Sequence, residues 1–177
     1  MTKHDIRLVM RSRLPLAPDL RATKSVRICD AVRRLPAWQA ARCVMLFAPQ
    51  EREPDVDLLW PYAGGRRMVY PRVEEGILGI YSVEAVRDLR LGRWGLREPA
   101  GLAENLVLPE EVDFILVPGV AFTAAGARCG RGGGFYDRLL EILPTDVLKV
   151  GVCFAEQIME DVPTEPHDMR VDVVLSA

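Results

Sequence analysis

The sequence feature that most restricts the fold is the apolar run Phe114–Val117 (FILV). Successive side chains of a strand point to opposite faces, so a continuous apolar run needs apolar surroundings on both faces. Such a strand belongs inside a parallel sheet that has helices on either side. The run ends at Pro118 and Gly119. We therefore expect the next segment to leave the sheet at its carboxyl edge, where open α/β sheets bind ligands.

Helical and strand patterns alternate along the rest of the chain. Apolar spacing predicts helices over residues 3–13, 19–36, about 55–62 and 135–143. Short apolar runs predict strands at 44–47, 68–70, 77–81, 147–154 and 171–175, with a turn at 72–76 and a long loop over 88–110. This order predicts a single α/β domain over residues 1–177, with an open, mostly parallel sheet flanked by helices in a Rossmann-like three-layer arrangement.

A glycine-rich stretch follows the central strand, from Arg128 to Arg138 (RCGRGGGFYDR). Glycines let backbone N–H groups approach a ligand closely, and the first turn of a following helix offers free N–H donors to an anion. Arginine adds charge and forked donors. The stretch does not match the P-loop, which needs Lys followed by Ser or Thr after its last glycine. It does not match the dinucleotide fingerprint either, because Phe135 stands where a third glycine is needed. A phosphate-binding loop and a flexible surface turn both fit these residues.

Charged side chains elsewhere are candidates to complete a phosphate site. Asp137, in the first turn of the predicted helix, is either a partner of the helix dipole or a ligand for Mg²⁺ beside phosphate. Asp168 would join it at the metal if the last strand lies beside that helix. Lys3 and Arg7 share one helix face, where they either bind phosphates together or are solvated.

Three further residues have two interpretations each. Glu53 follows a buried strand and is either a ligand for amine or amide donors or an ordinary exposed loop glutamate. Trp94, in the long loop, either covers a flat ring or attaches the loop to the core. His167 precedes the last strand and is either a hydrogen-bonded structural residue or a catalyst.

Composition excludes several classes of protein. The net charge of −2 provides no global field that favours nucleic acid. No apolar run approaches the ~20 residues that cross a bilayer, and the N-terminal residues contain no apolar signal region. The four cysteines are scattered without a C-x-x-C pair, which argues against zinc and disulfides. We expect a cytoplasmic protein that binds neither nucleic acid nor membrane.

The glycine-rich stretch, together with Leu116–Phe122 (LVPGVAF) and Gly126, resembles the signature of the 5-formyltetrahydrofolate cyclo-ligase family, also called methenyltetrahydrofolate synthetases. Weaker matches follow in the family's order over nearly the whole chain: Lys3 with Arg7, Glu53-Pro54-Asp55, Trp94–Pro99 (WGLREP) and Val162–Asp168 (VPTEPHD). The chain departs from the family pattern at Phe135, where a tyrosine is usual, and at Cys129 and Val56. These departures affect fine substrate contacts and leave the phosphate site intact.

The resemblance implies an ATP- and Mg²⁺-dependent enzyme. It would convert 5-formyltetrahydrofolate to 5,10-methenyltetrahydrofolate through a phosphorylated formyl group and release ADP and phosphate. We expect a monomer or weak homodimer. Two alternatives remain open, a non-catalytic folate or nucleotide binder and a kinase that acts on another acceptor.

The resemblance also assigns roles to residues. The nucleotide would be bound by Lys3, Arg7, Arg128, Gly130, Arg131, Gly132, Gly133, Gly134, Phe135 and Tyr136. The metal would be bound by Asp137 and Asp168, and the folate by Ala48, Glu53, Trp94 and Tyr136. Arg128 and Tyr136 would act in catalysis.

Overall fold

The computed structural model describes residues 1–177, apart from the side chain of residue 93. Its α-helices are α1 (Lys3–Arg13), α2 (Pro18–Arg34), α3 (Pro36–Ala40) and α4 (Phe135–Ile142). Its strands are β1 (Cys43–Met45), β2 (Arg67–Glu74), β3 (Ile77–Val83), β4 (Arg90–Leu91), β5 (Arg97–Glu98), β6 (Leu106–Val107), β7 (Phe114–Val117), β8 (Ala121–Phe122), β9 (Arg128–Cys129), β10 (Leu148–Cys153) and β11 (Val173–Ser176). The longest 3₁₀ helix is Val56–Tyr62.

One seven-stranded sheet forms the centre of the molecule, in the order β11-β10-β7-β1-β2-β3-β6. Neighbours from β11 to β2 pair in parallel, and β3 and β6 extend the sheet with antiparallel pairs. The hairpins β4–β5 and β8–β9 lie outside this sheet. The predicted α/β class with a mostly parallel open sheet is therefore confirmed.

The central strand β7 separates two apolar layers. Phe114 and Leu116 pack into a cluster that contains the buried side chains of α2 and α3. Ile115 and Val117 pack into a second cluster, with the buried side chains of α4. All four side chains are fully buried, and each such burial stabilises the fold by about 1.5–3 kcal/mol. All four residues of this strand are therefore apolar because helices cover both of its faces.

Helix α1 packs on the β8–β9 hairpin and not on the main sheet. Ile6 and Met10 are buried in a third cluster with hairpin residues that include Cys129. Thr2 caps the helix, because its hydroxyl accepts from the Asp5 amide while the Asp5 carboxylate accepts from the Thr2 amide. This packing holds the basic face of α1 beside the glycine-rich stretch.

Several predicted boundaries are wrong. The predicted turn at 72–76 is only Glu75 and Gly76, because β2 continues to Glu74. The predicted helix over 19–36 ends at Arg34, and Pro36 begins the separate helix α3. The predicted loop over 88–110 contains β4, β5 and the sheet edge β6. Strands of two residues are too short to give a periodic pattern.

No helix among the residues described here is both long and apolar enough to pass through a membrane.

Candidate functional site

A cavity of about 1280 Å³ opens beyond the ends of β1 and β7. Pockets for one drug-sized ligand typically measure roughly 300–1000 Å³, so this cavity has room for two ligands. Its wall includes every residue that the sequence predicted for the site, namely Lys3, Arg7, Ala48, Glu53, Trp94, Arg128, Gly130, Arg131, Gly132, Gly133, Gly134, Phe135, Tyr136, Asp137 and Asp168. Segments that lie far apart in the chain therefore meet at one place.

The glycine loop, Gly130–Gly134, leads directly into α4 and forms one wall of this cavity. Gly132 has φ +106° and Gly134, the N-cap of α4, has φ +64°, and side chains rarely adopt such values. Arg7 crosses from α1 to the loop, where its Nε donates to the Gly130 carbonyl at 2.9 Å. A Cβ added at Gly132 would lie 3.5 Å from the Arg7 guanidinium carbon. The loop thus presents its backbone at a helix N-terminus, with the Arg7 cation beside it.

Asp137 is paired with Arg128 in the free protein. The Arg128 Nη2 donates to Asp137 Oδ1 at 2.7 Å, and the two side chains are 3% and 15% exposed. The same carboxylate oxygen accepts from the Met169 amide at 3.1 Å. Asp168 immediately precedes Met169, so the two carboxylates predicted to bind metal belong to adjoining segments. The buried Nε of Arg128 has no hydrogen-bond partner in the described part of the chain.

Lys3, on the wall of the same cavity, is bound by two carboxylates. Its Nζ lies 2.5 Å from Asp168 Oδ2 and 2.8 Å from Glu165 Oε2. Burial alone would raise the pKa of Asp168, but hydrogen bonds from Lys3 and the Glu165 amide lower that pKa below its ordinary value. Likewise, burial opposes the charge of Lys3, yet both carboxylates raise the Lys3 pKa overall. Ligand atoms of Glu165, His167 and Asp168 lie within 4.8 Å of one another.

Glu53 is not the exposed loop residue that its sequence position favours. Its side chain is only 7% exposed. Oε1 accepts from Arg131 Nη2 at 2.7 Å, and Oε2 accepts from the Gln50 amide at 2.9 Å. The Arg131 Nη1 donates to the side-chain oxygen of Gln50. The loop after β1 and the glycine loop are therefore joined by a buried carboxylate.

Aromatic side chains form the rim and floor of the cavity. Trp94 is 69% exposed and has φ +56°, so it does not attach its loop to the core. Its ring centroid lies 6.2 Å from that of Phe135, at a tilt of 51°. Tyr136 lies deeper, with the Arg128 guanidinium 6.0 Å from its ring centroid. Burial, with the nearby Glu53 charge, raises the pKa of Tyr136, so its hydroxyl stays protonated.

Gln50, Arg97 and Glu98 are among the cavity-wall residues that were not predicted from the sequence as site residues. Gln50 binds Arg131, as described above. Arg97 donates to Asp57 at 2.6 Å, and the buried Glu98 accepts from the Val73 amide at 3.3 Å. Arg97 and Glu98 belong to the WGLREP segment, whose match to the family pattern could have indicated them as site residues. Gln50 lies three residues before Glu53 and has no such signal.

The cysteines do not contribute a nucleophile to this site. All four are buried free thiols. Burial raises the pKa of Cys29 and Cys153 to about 12 and that of Cys43 to about 11. Cys129, beside the glycine loop, has a raised pKa for the same reason. Their thiols are therefore protonated and unreactive at neutral pH.

Comparison with known proteins gives the family of the chain. The model of the 5-formyltetrahydrofolate cyclo-ligase family matches residues 2–177. The chain belongs to this family of enzymes. The 5-formyltetrahydrofolate cyclo-ligase of Mycolicibacterium smegmatis is 39% identical over 146 residues, which cover 77% of this chain and 74% of the relative. The probable 5-formyltetrahydrofolate cyclo-ligase of Schizosaccharomyces pombe is 26% identical over 196 residues, covering 99% and 95% of the two chains.

Solved structures agree with this assignment. The NMR structure of the Aquifex aeolicus 5,10-methenyltetrahydrofolate synthetase has a TM-score of 0.86 and 35% identity to this cyclo-ligase family member, covering 99% of this chain and 90% of that one. A 5,10-methenyltetrahydrofolate synthetase from Mycoplasma pneumoniae has the same fold, with a TM-score of 0.79 at 23% identity over 98% of each chain. The family inferred from the motifs is thereby confirmed.

Proposed function

We propose that this chain, acting as one cyclo-ligase domain over residues 1–177, converts 5-formyltetrahydrofolate to 5,10-methenyltetrahydrofolate with MgATP as co-substrate. One observation supports this proposal above the others. A single cavity joins the glycine loop at the start of α4 to the buried carboxylate of Glu53 on the opposite loop. The loop that would bind phosphate and the carboxylate that would accept from the N–H donors of a pterin thus face the same space.

At the phosphate end, the ligand would meet backbone N–H groups of the glycine loop and the side chains of Lys3, Arg7, Arg128 and Arg131. Helix N-termini with basic side chains favour phosphate groups. The unpartnered Nε of Arg128 is consistent with a missing acceptor, because buried donors are nearly always paired. Gly133, Phe135 and Tyr136 would contact the nucleotide beside these groups.

Asp137 and Asp168 are the residues that would hold Mg²⁺. Carboxylate oxygens are the protein ligands that this ion prefers, and the two residues lie on segments joined by the Met169 amide. Bound there, the ion would neutralise charge on the transferred phosphoryl group. Lys3 and Arg128, which now hold these carboxylates, would then be available to phosphate oxygens.

At the folate end, Glu53 would accept from the pterin N–H groups, and Ala48 and Trp94 would contact the ring. Tyr136 lies between the two ends, with a protonated hydroxyl that is able to donate a hydrogen bond. Together with Arg128 it would act on the reacting groups. The Glu53 side chain is 7% exposed and accepts hydrogen bonds from Arg131 and the Gln50 amide.

The reaction needs no nucleophile from the protein. A formamide oxygen is a poor leaving group, and transfer of the γ-phosphoryl group from ATP to that oxygen makes it a good one and releases ADP. The N10 amine then attacks the formyl carbon, the ring closes with loss of the N10 proton, and the C–O bond breaks to release phosphate, which takes up that proton. The protein supplies positioning and charge neutralisation, which suffices for phosphoryl transfer.

The test is turnover by the purified chain, followed by the near-ultraviolet absorbance of the methenyl product. We expect product with 5-formyltetrahydrofolate and MgATP, one ADP per product, and none when ATP or Mg²⁺ is omitted. Binding of both ligands without turnover would support the non-catalytic alternative. ADP release stimulated by another metabolite, and not by 5-formyltetrahydrofolate, would support the kinase. Activity as a monomer or weak homodimer and a cytoplasmic location remain predictions.

A further inference from the structure

The ion pair between Glu53 and Arg131 joins the two ends of the cavity. Its two members are 78 residues apart in the chain and 2.7 Å apart in space. Gln50 completes the contact, since its amide donates to Glu53 and its side-chain oxygen accepts from Arg131. Both carboxylate oxygens of Glu53 therefore accept hydrogen bonds from the protein itself.

The two partners differ in their surroundings. The Glu53 side chain is 7% exposed, whereas that of Arg131 is 54% exposed. A buried carboxylate is stabilised by each donor it accepts from and is costly without them. Arg131 does not depend on Glu53 in the same way, because its side chain is half exposed to solvent. It also lies between Gly130 and Gly132, the second of which already has φ +106°. Glu53 is therefore held in place by burial, whereas the Arg131 side chain is free to change its conformation and leave the pair.

We propose that Arg131 is a coupling residue, which leaves Glu53 for the phosphates when nucleotide binds and thereby makes Glu53 available to the folate. This inference rests on the function proposed above. A polyphosphate carries more charge than one carboxylate and accepts both arms of a guanidinium, so it competes well for Arg131. Glu53 then lacks its cation and takes the N–H donors of the pterin in its place.

The exchange predicts positive coupling between the two ligands. When no nucleotide is bound, folate must displace Arg131 from Glu53 before it can bind there. When nucleotide is bound, Arg131 has already moved to the phosphates, so folate binds more tightly. Because coupling between two sites is reciprocal, folate must tighten nucleotide binding by the same factor. Typical coupling factors are about 5–150, and for one exchanged ion pair we expect about tenfold.

The experiment is calorimetric titration of 5-formyltetrahydrofolate into the protein, with and without saturating AMP-PNP and Mg²⁺. Wild type should bind folate about tenfold more tightly with the analogue. In Arg131→Met, folate should bind without nucleotide at least as tightly as it binds wild type, and the analogue should no longer change its affinity. Arg131→Lys, which retains a charge for both partners, should recover part of the coupling.

A matched control is Arg97→Met. Arg97 also lines the cavity and holds a carboxylate, that of Asp57, at 2.6 Å. Because it does not contact Glu53, this variant should keep the full coupling factor. Thermal unfolding of each variant verifies that the fold is retained.

Two results would overturn the proposal. One is weaker folate binding in Arg131→Met with an unchanged effect of the analogue, which means that Arg131 only supports Glu53. The other is independent binding of the two ligands to wild type. If wild type forms methenyl product but shows no coupling, only this inference fails. If neither ligand binds, the proposed function fails with it.

Discussion

Three basic side chains predicted to bind phosphate are paired with carboxylates of the same cavity. Lys3 holds Asp168 and Arg128 holds Asp137, while Arg131 holds Glu53. Groups of opposite charge that would serve different ligands thus neutralise one another. Single substitutions at these positions should therefore change stability as well as ligand binding.

Substitutions of Asp137 can separate the effect on stability from the effect on ligand binding. Asp137→Ala leaves Arg128 as an unpaired, almost fully buried cation, which should cost about 3–5 kcal/mol of stability. Asp137→Asn keeps an oxygen acceptor for Arg128 and should cost less than half of that. Both variants lose the metal-binding charge, so both should lose turnover. Urea unfolding and the absorbance assay measure the two effects. An Asp137→Ala protein as stable as wild type would mean that this pair is not formed in solution.

The Lys3–Asp168 pair should stabilise the fold over a defined pH window. The pKa of Asp168 is lowered from 3.8, so its contribution is present above about pH 4 and is lost as the pH falls through the folded value. The pKa of Lys3 is raised from 10.5, so its contribution is present below that pH and is lost as the pH rises through the folded value. At pH 7 both contributions are complete.

A double-mutant cycle of Lys3→Met and Asp168→Asn, followed by urea unfolding, measures this coupling. We expect about 1–2 kcal/mol at neutral pH, since the pair is partly buried, and a progressive loss below pH 4. Glu165→Gln is the control, because that carboxylate is 61% exposed and should contribute little. A coupling energy that is unchanged at pH 3 would contradict the interpretation.

At the scale of elements, the glycine loop and α4 form one unit with α1. The loop adopts a left-handed conformation at Gly132 and Gly134, and α1 sends Arg7 to its backbone. Loop shape and the position of α1 therefore depend on each other. The anion site is made by this contact and not by the glycine-rich sequence alone.

Gly132→Ala tests this unit, with Gly65→Ala as its control. Gly132 and Gly65 both have left-handed φ values, +106° and +81° respectively. Replacing either one by alanine should therefore lower the stability of the protein by about 1–2 kcal/mol through backbone strain. Only at Gly132 would the new methyl group lie near Arg7, at 3.5 Å, whereas at Gly65 it would meet no atom within 4 Å. The KM for ATP should rise several-fold in Gly132→Ala alone. Equal KM values for ATP in the two variants would show that the glycine loop does not bind the phosphates.

At the scale of the whole molecule, local patterns could be predicted from the sequence and distant pairings could not. The apolar run of β7 requires helices on both faces, and glycines before a helix require an exposed backbone turn, so both were found. The strand β6 was missed because two residues, Leu106 and Val107, have no detectable period. The burial of Glu53 was missed because its cation comes from another loop, 78 residues away.

The same limit applies to the pairing of ligand-binding groups. Lys3 and Asp168 are 165 residues apart in the chain, yet 2.5 Å separates their charged atoms. Family motifs located both residues in the site, but no spacing rule indicates that each holds the other when ligands are absent. That arrangement depends on the packing of α1 against the β8–β9 hairpin, a tertiary contact made by Ile6 and Met10.

The proposed chemistry as a whole is tested most directly by the fate of the formyl oxygen. The purified protein is given MgATP and 5-formyltetrahydrofolate labelled with ¹⁸O in the formyl group, and the released phosphate is analysed by mass spectrometry. If the γ-phosphoryl group is transferred to that oxygen, each phosphate should contain one ¹⁸O atom, in equal amount to the methenyl product. Unlabelled phosphate, formed at the same rate as the product, would contradict phosphorylation of the formyl group in this cavity.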